Sequence, residues 1–140
     1  MKVVDIYTDG SRNYNATITS WGFVVLDSGA IIEERNGILT GPITIMYQIG
    51  GECQAVIEAL KYCKQNNFKC DIYFDYIGLK CWVNDLFGEK PWQTKNQWTK
   101  AYREELLSLK EFLNNMIKVK GHSNNEFNEY ADLLAKKALE

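Results

Sequence analysis

The chain contains 140 residues, enough for one domain with a substantial hydrophobic core. Its hydrophobic content of 46% and aromatic content of 13% exclude an intrinsically disordered protein. The formal net charge of −2 at pH 7 gives no sign of a globally basic surface that binds nucleic acid through its overall charge.

No apolar run approaches the roughly 20 residues that a membrane-spanning helix needs. Asp5 follows Met1 so closely that no hydrophobic signal segment can develop, and we therefore expect a cytoplasmic protein. The cysteines form no CxxC pair, which argues against a tetrahedral zinc site, and a reducing compartment disfavours disulfides. We interpret all four as small core residues: Cys53, Cys63, Cys70 and Cys81.

The first third of the chain has the pattern of three strands. Residues 3–9 alternate and are rich in β-branched types, residues 21–26 form a second apolar run, and residues 30–35 begin a third. The turn signal Asp27-Ser28-Gly29 separates the last two. Connections this short favour antiparallel neighbours.

The middle of the chain alternates between helix and strand. Apolar residues recur at helical spacing from Gly51 to about Asn66. Residues 70–75 predict a strand, followed by a short helical segment to about Leu86, and Phe87–Asn96 has the composition of a loop.

Two further helices and a strand are predicted in the last third. Gln97–Asn115 has apolar residues at roughly i, i+4 spacing, and Met116–Lys120 is typical of a short strand. Ser123-Asn124-Asn125-Glu126 has capping-box spacing and opens a final helix. The order β-β-β-α-β-α-α-β-α predicts an α/β fold with a mixed sheet covered by helices on both faces.

Four acidic residues stand where a charge is unfavourable. Asp9 and Asp75 close predicted strands, Glu52 shares a helical face with apolar residues, and Asp132 lies one turn from Ala135. Buried carboxylates repel one another and lose hydration unless a cation neutralises them. The cation that suits a set of oxygen ligands is Mg²⁺ or Mn²⁺, so the four predict a metal site.

A basic and aromatic segment follows the predicted loop. Its cations offer phosphate contacts beside flat apolar side chains, while the alternative is a solvated helix face above a buried aromatic stripe. The residues are Lys90, Trp92, Lys95, Trp98, Lys100, Tyr102 and Arg103.

Five motifs together resemble ribonuclease H type 1, in the family's order and over nearly the whole chain from Val3 to Ala138. They are Tyr7-Thr8-Asp9-Gly10-Ser11, Gly51-Glu52, Asp75, Lys118-Val119-Lys120-Gly121-His122-Ser123 and Asn128-Glu129-Tyr130-Ala131-Asp132. Residues 75–79 are similar to the branch that contains the RNase H domain of viroplasmin-like proteins.

The resemblance implies a ribonuclease H-like fold, with a five-stranded mixed sheet whose first three strands are antiparallel. It implies an endoribonuclease that cuts the RNA strand of RNA/DNA hybrids with two Mg²⁺ ions, leaving 5′-phosphate and 3′-hydroxyl ends; Mn²⁺ is an alternative metal. Asp9 would bridge both ions, Asp75 would share the water-activating site, and Glu52 and Asp132 would complete the other. His122 matches the catalytic-loop histidine.

The resemblance also suggests substrate contacts. Gly10, Ser11 and Gln48 would sense RNA 2′-hydroxyls, and Asn128 belongs to the matching C-terminal motif. The DNA-strand phosphates would lie on Lys95, Lys100 or Arg103.

Two departures from the family pattern concern substrate contacts. Gln48 stands alone where many members carry two asparagines, and Phe74 and Tyr76 replace the usual serines around the third acid.

We expect residues 1–140 to be a single domain without a separate hybrid-binding module, and a monomer without an obligate protein partner. Two other functions remain open. One is another nuclease of the same superfamily that acts on DNA. The other is a nucleic-acid-binding domain without catalysis, against which retention of all four carboxylates argues.

Overall fold

The computed structural model describes residues 1–13, 18–40, 46–120 and 125–140. The strands are β1 (Lys2–Asn13), β2 (Ile18–Asp27), β3 (Ala30–Leu39), β4 (Phe68–Phe74) and β5 (Leu113–Lys118). The α-helices are α1 (Gln48–Asn66), α2 (Gly78–Cys81), α3 (Gln97–Ser108) and α4 (Glu126–Ala138). Short 3-10 turns cover Asn84–Phe87 and Lys110–Phe112. The predicted order of strands and helices is confirmed.

All five strands form one sheet in the order β3-β2-β1-β4-β5. The pairs β1–β2 and β2–β3 are antiparallel, whereas β1–β4 and β4–β5 are parallel. The structure therefore confirms the five-stranded mixed sheet with three antiparallel strands at its start. The last register pair of β1 with β4 joins Tyr7 to Tyr73, so Asp9 and Asp75 each lie two residues beyond it. Both acids emerge at the same end of the two central strands.

Helices cover the sheet on both faces. The strand β2 is therefore buried along most of its length. Phe23 and Val25 belong to the core cluster that α1 and α3 complete. On the opposite face, Gly22 lies against Ala135 of α4, and Ser20 donates a hydrogen bond to the Ala135 carbonyl at 2.6 Å. Alternation along one strand thus fixes α1 on one face and α4 on the other. No helix within the described ranges has the length and hydrophobicity of a membrane span.

The predicted end of α3 is wrong. The helix ends at Ser108, not Asn115, and β5 begins at Leu113 instead of Met116. Leu109 and Leu113 continue the helical spacing, but Leu113 pairs with Cys70 of β4. A short apolar run fits either a helix or a strand, and here pairing with β4 decides.

Two helix starts also differ from prediction. The helix α1 begins at Gln48, three residues before the predicted Gly51. In α4 the N-cap is Asn125, whose side chain accepts hydrogen bonds from the backbone N–H groups of Phe127 and Asn128. The predicted cap Ser123 lies outside the described residues. Asparagine caps a helix as well as serine does, so the spacing alone could not distinguish the two.

Candidate active site

Two neighbouring strand ends supply the first two carboxylates of the cleft. Asp9 is only 8% exposed although it carries a charge, and its Oδ1 accepts a hydrogen bond from the Gly10 backbone N–H at 2.8 Å. Asp75 follows the last residue of β4 and is half-buried. Because the strands are parallel neighbours, both side chains reach the same edge of the sheet.

Close contact between α1 and the sheet brings Glu52 to the same place. A Cβ on Gly10 would lie 2.4 Å from the Glu52 backbone nitrogen, and one on Gly51 would lie 2.0 Å from the Ser20 carbonyl oxygen. Only glycine permits backbones to approach this closely. The first turn of α1 therefore rests on β1 and β2, and Glu52 is held beside Asp9 with 7% of its surface exposed.

Three of the four predicted acids converge closely. One carboxylate oxygen from each of Asp9, Glu52 and Asp75 lies within 4.8 Å of the others. Asp132 lines the same cleft, of about 410 Å³, but its Oδ2 lies 2.9 Å from the Lys136 ammonium.

Burial and mutual repulsion make this cluster unfavourable without a cation. Burial raises the pKa of Asp9, and the charges of Asp132 and Asp75 raise it further, while the Gly10 N–H opposes the shift. The pKa of Glu52 is raised further than that of Asp9. Burial is the largest cause, and the charges of Asp9 and Asp75 add to it. The Asp9 and Glu52 carboxyl groups lie within 4.8 Å of each other, so without metal the pair favours a bound proton over two negative charges. A hard divalent cation would replace that proton, and the all-oxygen donor set fits Mg²⁺ or Mn²⁺.

A family model described as RNase H matches residues 1–140. The chain belongs to the ribonuclease H family. A Ribonuclease H of Caldanaerobacter subterraneus subsp. tengcongensis is 35% identical over 144 residues, covering 96% of this chain and 89% of the relative. RNase H1 from the halophilic archaeon Halobacterium salinarum NRC-1 has a similar structure, with a TM-score of 0.77 at 21% identity and coverage of 98% and 97%. LC11-RNase H1, solved in complex with an RNA/DNA hybrid, has a TM-score of 0.72 at 17% identity and coverage of 98% and 99%.

Three of the substrate contacts expected of a ribonuclease H line the carboxylate cleft: Gly10, Gln48 and Asn128. Asn128 is 7% exposed, and among the described residues its buried Oδ1 has no hydrogen-bond partner, which costs desolvation energy. Ser11 is half-buried one residue further along β1. His122 lies outside the described residues.

The basic and aromatic segment divides into two parts. Lys95 lines a pocket of about 490 Å³ with Trp82 and Trp92, and Trp92 is 46% exposed. Tyr102 is buried, as the alternative of an aromatic core stripe predicted, and Lys100 is exposed on α3. The segment thus combines a core contribution with an open aromatic surface.

Arg103 has a structural partner that the sequence did not reveal. Its Nη1 and Nη2 donate to the two carboxylate oxygens of Asp85 at 2.7 and 2.8 Å. Nη1 also donates to the Trp82 carbonyl at 2.9 Å. These bonds link α3 to the 3-10 turn at Asn84–Phe87, while the predicted DNA contact of Arg103 stays a prediction.

Two residues that line the cleft were not selected from the sequence, Glu129 and Lys136. Lys136 lies four residues after Asp132, a spacing that places two side chains on the same face of a helix. That spacing was the available signal, and the structure shows the ion pair it permits.

Proposed function

We propose that this protein hydrolyses the RNA strand of RNA/DNA hybrids, leaving 5′-phosphate and 3′-hydroxyl ends. The observation that carries the proposal is the convergence of Asp9, Glu52 and Asp75 within 4.8 Å, in a cleft that Asp132 also lines. Membership of the ribonuclease H family supports the substrate class, since LC11-RNase H1 was solved with such a hybrid.

The four carboxylates would hold Mg²⁺ or Mn²⁺. Asp9 lies close to both Glu52 and Asp75 and would contribute to two ion positions, Asp75 to one of them, and Glu52 and Asp132 to the other. Bound divalent ions activate water, orient the scissile phosphate and stabilise the leaving oxygen. The Gly10 N–H keeps one Asp9 oxygen in place, and the buried setting strengthens the electrostatic contribution of every carboxylate.

The remaining site residues would bind substrate or transfer protons. Gly10, Ser11 and Gln48 lie at the junction of β1 and α1, where a minor groove would present RNA 2′-hydroxyls. The side-chain amide of Asn128, a residue that lines the cleft, would hydrogen-bond to the bound nucleic acid. His122, which precedes α4 in the sequence, would carry a proton to or from the reacting oxygens or assist departure of the product phosphate.

The DNA strand would follow the segment around α3. Lys95 combines an exposed ammonium with the adjoining Trp82 and Trp92 rings, which suits a phosphate beside an apolar sugar face. Lys100, exposed one turn further on, would contact the next phosphate. Arg103 would take part only if its bonds to Asp85 open.

Several finer assignments belong to the same proposal. We place the chain in type 1 on the five sequence motifs, and in the viroplasmin-like branch on residues 75–79. We further propose a monomer without an obligate protein partner, with residues 1–140 acting as one catalytic domain. The four free thiols support a reducing, cytoplasmic setting.

A substrate panel tests the proposal. Matched labelled substrates would be an RNA/DNA hybrid, duplex DNA, duplex RNA and a branched DNA, each incubated with Mg²⁺. We expect cleavage of the RNA strand in the hybrid and little in the others. Equal cutting of duplex or branched DNA would instead support a DNA nuclease of the same fold, and binding without cutting would support a non-catalytic domain.

A further inference from the structure

The fourth carboxylate of the cleft has a different partner from the other three. Among the described residues, the group that could hold a metal ion contains Asp9, Glu52 and Asp75, but not Asp132. Asp132 instead pairs with Lys136, whose Nζ lies 2.9 Å from Oδ2. The Lys136 ammonium thus pairs with the Asp132 carboxylate when no metal is bound.

The ammonium of Lys136 belongs to the cleft and not only to the helix surface. Lys136 lines the cleft together with all four acids. The hydrogen bond to Asp132 and the charge of Asp132 raise the pKa of Lys136, and the more distant charge of Asp9 adds to this. Its positive charge therefore acts on the cluster where a divalent ion would bind.

The ion pair is weak enough to be displaced. The Lys136 side chain is 61% exposed and that of Asp132 is 37% exposed. Exposed i, i+4 pairs contribute little to stability because water screens them and the long side chain loses freedom. A divalent ion with oxygen ligands from several carboxylates can therefore replace the ammonium.

We propose that Lys136 is a tethered counter-ion that competes with the divalent metal for Asp132 and thereby weakens metal binding by the free protein. This inference rests on the proposed function, since it assumes that the acids hold a divalent cation. In this role Lys136 is a positioning residue, because it acts through Asp132. Its ammonium would leave the carboxylate whenever the metal position beside Asp132 is filled.

The test is the affinity of the full chain for Mn²⁺ in the absence of nucleic acid. The concentration of unbound Mn²⁺ is measured by electron paramagnetic resonance. Lys136→Met removes the charge and keeps most of the stem, and we expect it to tighten Mn²⁺ binding about three- to tenfold. Lys136→Arg should restore the wild-type affinity. Lys137→Met is the matched control, because Lys137 neighbours Lys136 but does not line the carboxylate cleft.

Two results would overturn the inference: unchanged or weaker binding in Lys136→Met, or equal tightening in Lys137→Met, which would show a general effect of net charge. The tighter Mn²⁺ binding caused by Lys136→Met should also vanish when Asp132 is replaced by asparagine. If Lys136→Met still tightens binding in Asp132→Asn, Lys136 does not act through Asp132. Hybrid cleavage, assayed separately, distinguishes the two proposals. Intact cleavage with unaltered Mn²⁺ affinity in Lys136→Met would remove only the role of Lys136.

Discussion

Asp9 has like-charged neighbours on several sides, so it links catalysis to folding. Asp9→Asn keeps the shape and the acceptor for the Gly10 N–H, but removes one charge from the cluster. We expect hybrid cleavage to fall at least about a hundredfold, while the melting temperature in EDTA is unchanged or higher. Asp5→Asn is the control, because Asp5 lies on β1 outside the cluster and accepts a hydrogen bond from Tyr73.

Circular dichroism in EDTA and cleavage in Mg²⁺ measure the two effects separately. An unfolded Asp9→Asn protein would show that Asp9 supports the fold. Wild-type cleavage by that variant would remove Asp9 from the active site.

A second prediction at this scale concerns Arg103 and its partner Asp85. We expect Arg103→Ala and Asp85→Ala each to lower the free energy of unfolding by about 1 kcal/mol, since the pair is partly exposed but Arg103 also bonds to a carbonyl. If the role is structural, the two variants bind hybrid equally well. Weaker hybrid binding in Arg103→Ala alone, measured by fluorescence anisotropy, would instead identify a DNA contact.

Individual residues differ in how far sequence predicts them. Asp9, Glu52 and Asp75 could be selected because an acid at a strand end or on an apolar helix face conflicts with its setting. The pairing of Arg103 with Asp85 spans 18 positions, and no local pattern marks it. Similarly, exposed lysines are too common for Lys136 to be noticed before α4 is seen beside the cleft.

At the scale of elements, the contact of α1 with the sheet positions Glu52. Gly51→Ala would place a Cβ 2.0 Å from the Ser20 carbonyl oxygen, so α1 must shift away from β2. We expect a loss of about 2–4 kcal/mol in unfolding free energy, together with weaker Mn²⁺ binding.

The comparison for this variant is Gly29→Ala. At Gly29 nothing lies within 4 Å of an added Cβ, although its φ of +85° disfavours alanine. The expected loss is about 1 kcal/mol, without any change in metal affinity. Equal behaviour of the two variants in urea unfolding and Mn²⁺ titration would contradict the role assigned to the α1 contact.

Element types were easier to predict than element ends. Periodicity distinguished the strands from the long helices because the two repeats differ clearly. The end of α3 was misplaced because Leu109 and Leu113 fit a helix locally, whereas Leu113 pairs with Cys70 in the sheet. Pairing with a distant strand is a property of the assembled fold, and the local sequence does not contain it.

At the scale of the molecule, the carboxylate cluster should make stability depend on pH and metal together. Without metal, burial raises the pKa of Asp9 to about 7 and that of Glu52 to about 9. Both values exceed those of the unfolded chain, which are about 4. The folded protein then binds these protons more tightly, so their contribution to stability is full below about pH 4 and lost as pH rises through the folded values.

We therefore expect the melting temperature in EDTA to fall as pH rises from about 5 to about 9. Mg²⁺ should reduce this fall, because the ion replaces the protons as the neutralising charge. Scanning calorimetry at several pH values, with and without Mg²⁺, measures the difference. If the melting temperature of Glu52→Gln in EDTA falls as steeply with rising pH as that of the wild-type protein, other groups cause the fall.

The converging carboxylates are proposed to bind a divalent ion with which this protein cuts RNA paired to DNA. The most direct measurement is cleavage of a labelled RNA strand in a hybrid, with Mg²⁺, with EDTA, and with Asp9→Asn in Mg²⁺. We expect 5′-phosphate products from the wild-type protein with Mg²⁺, and none in EDTA or from the variant. Robust hydrolysis in EDTA, or undiminished hydrolysis by Asp9→Asn, would contradict this proposal.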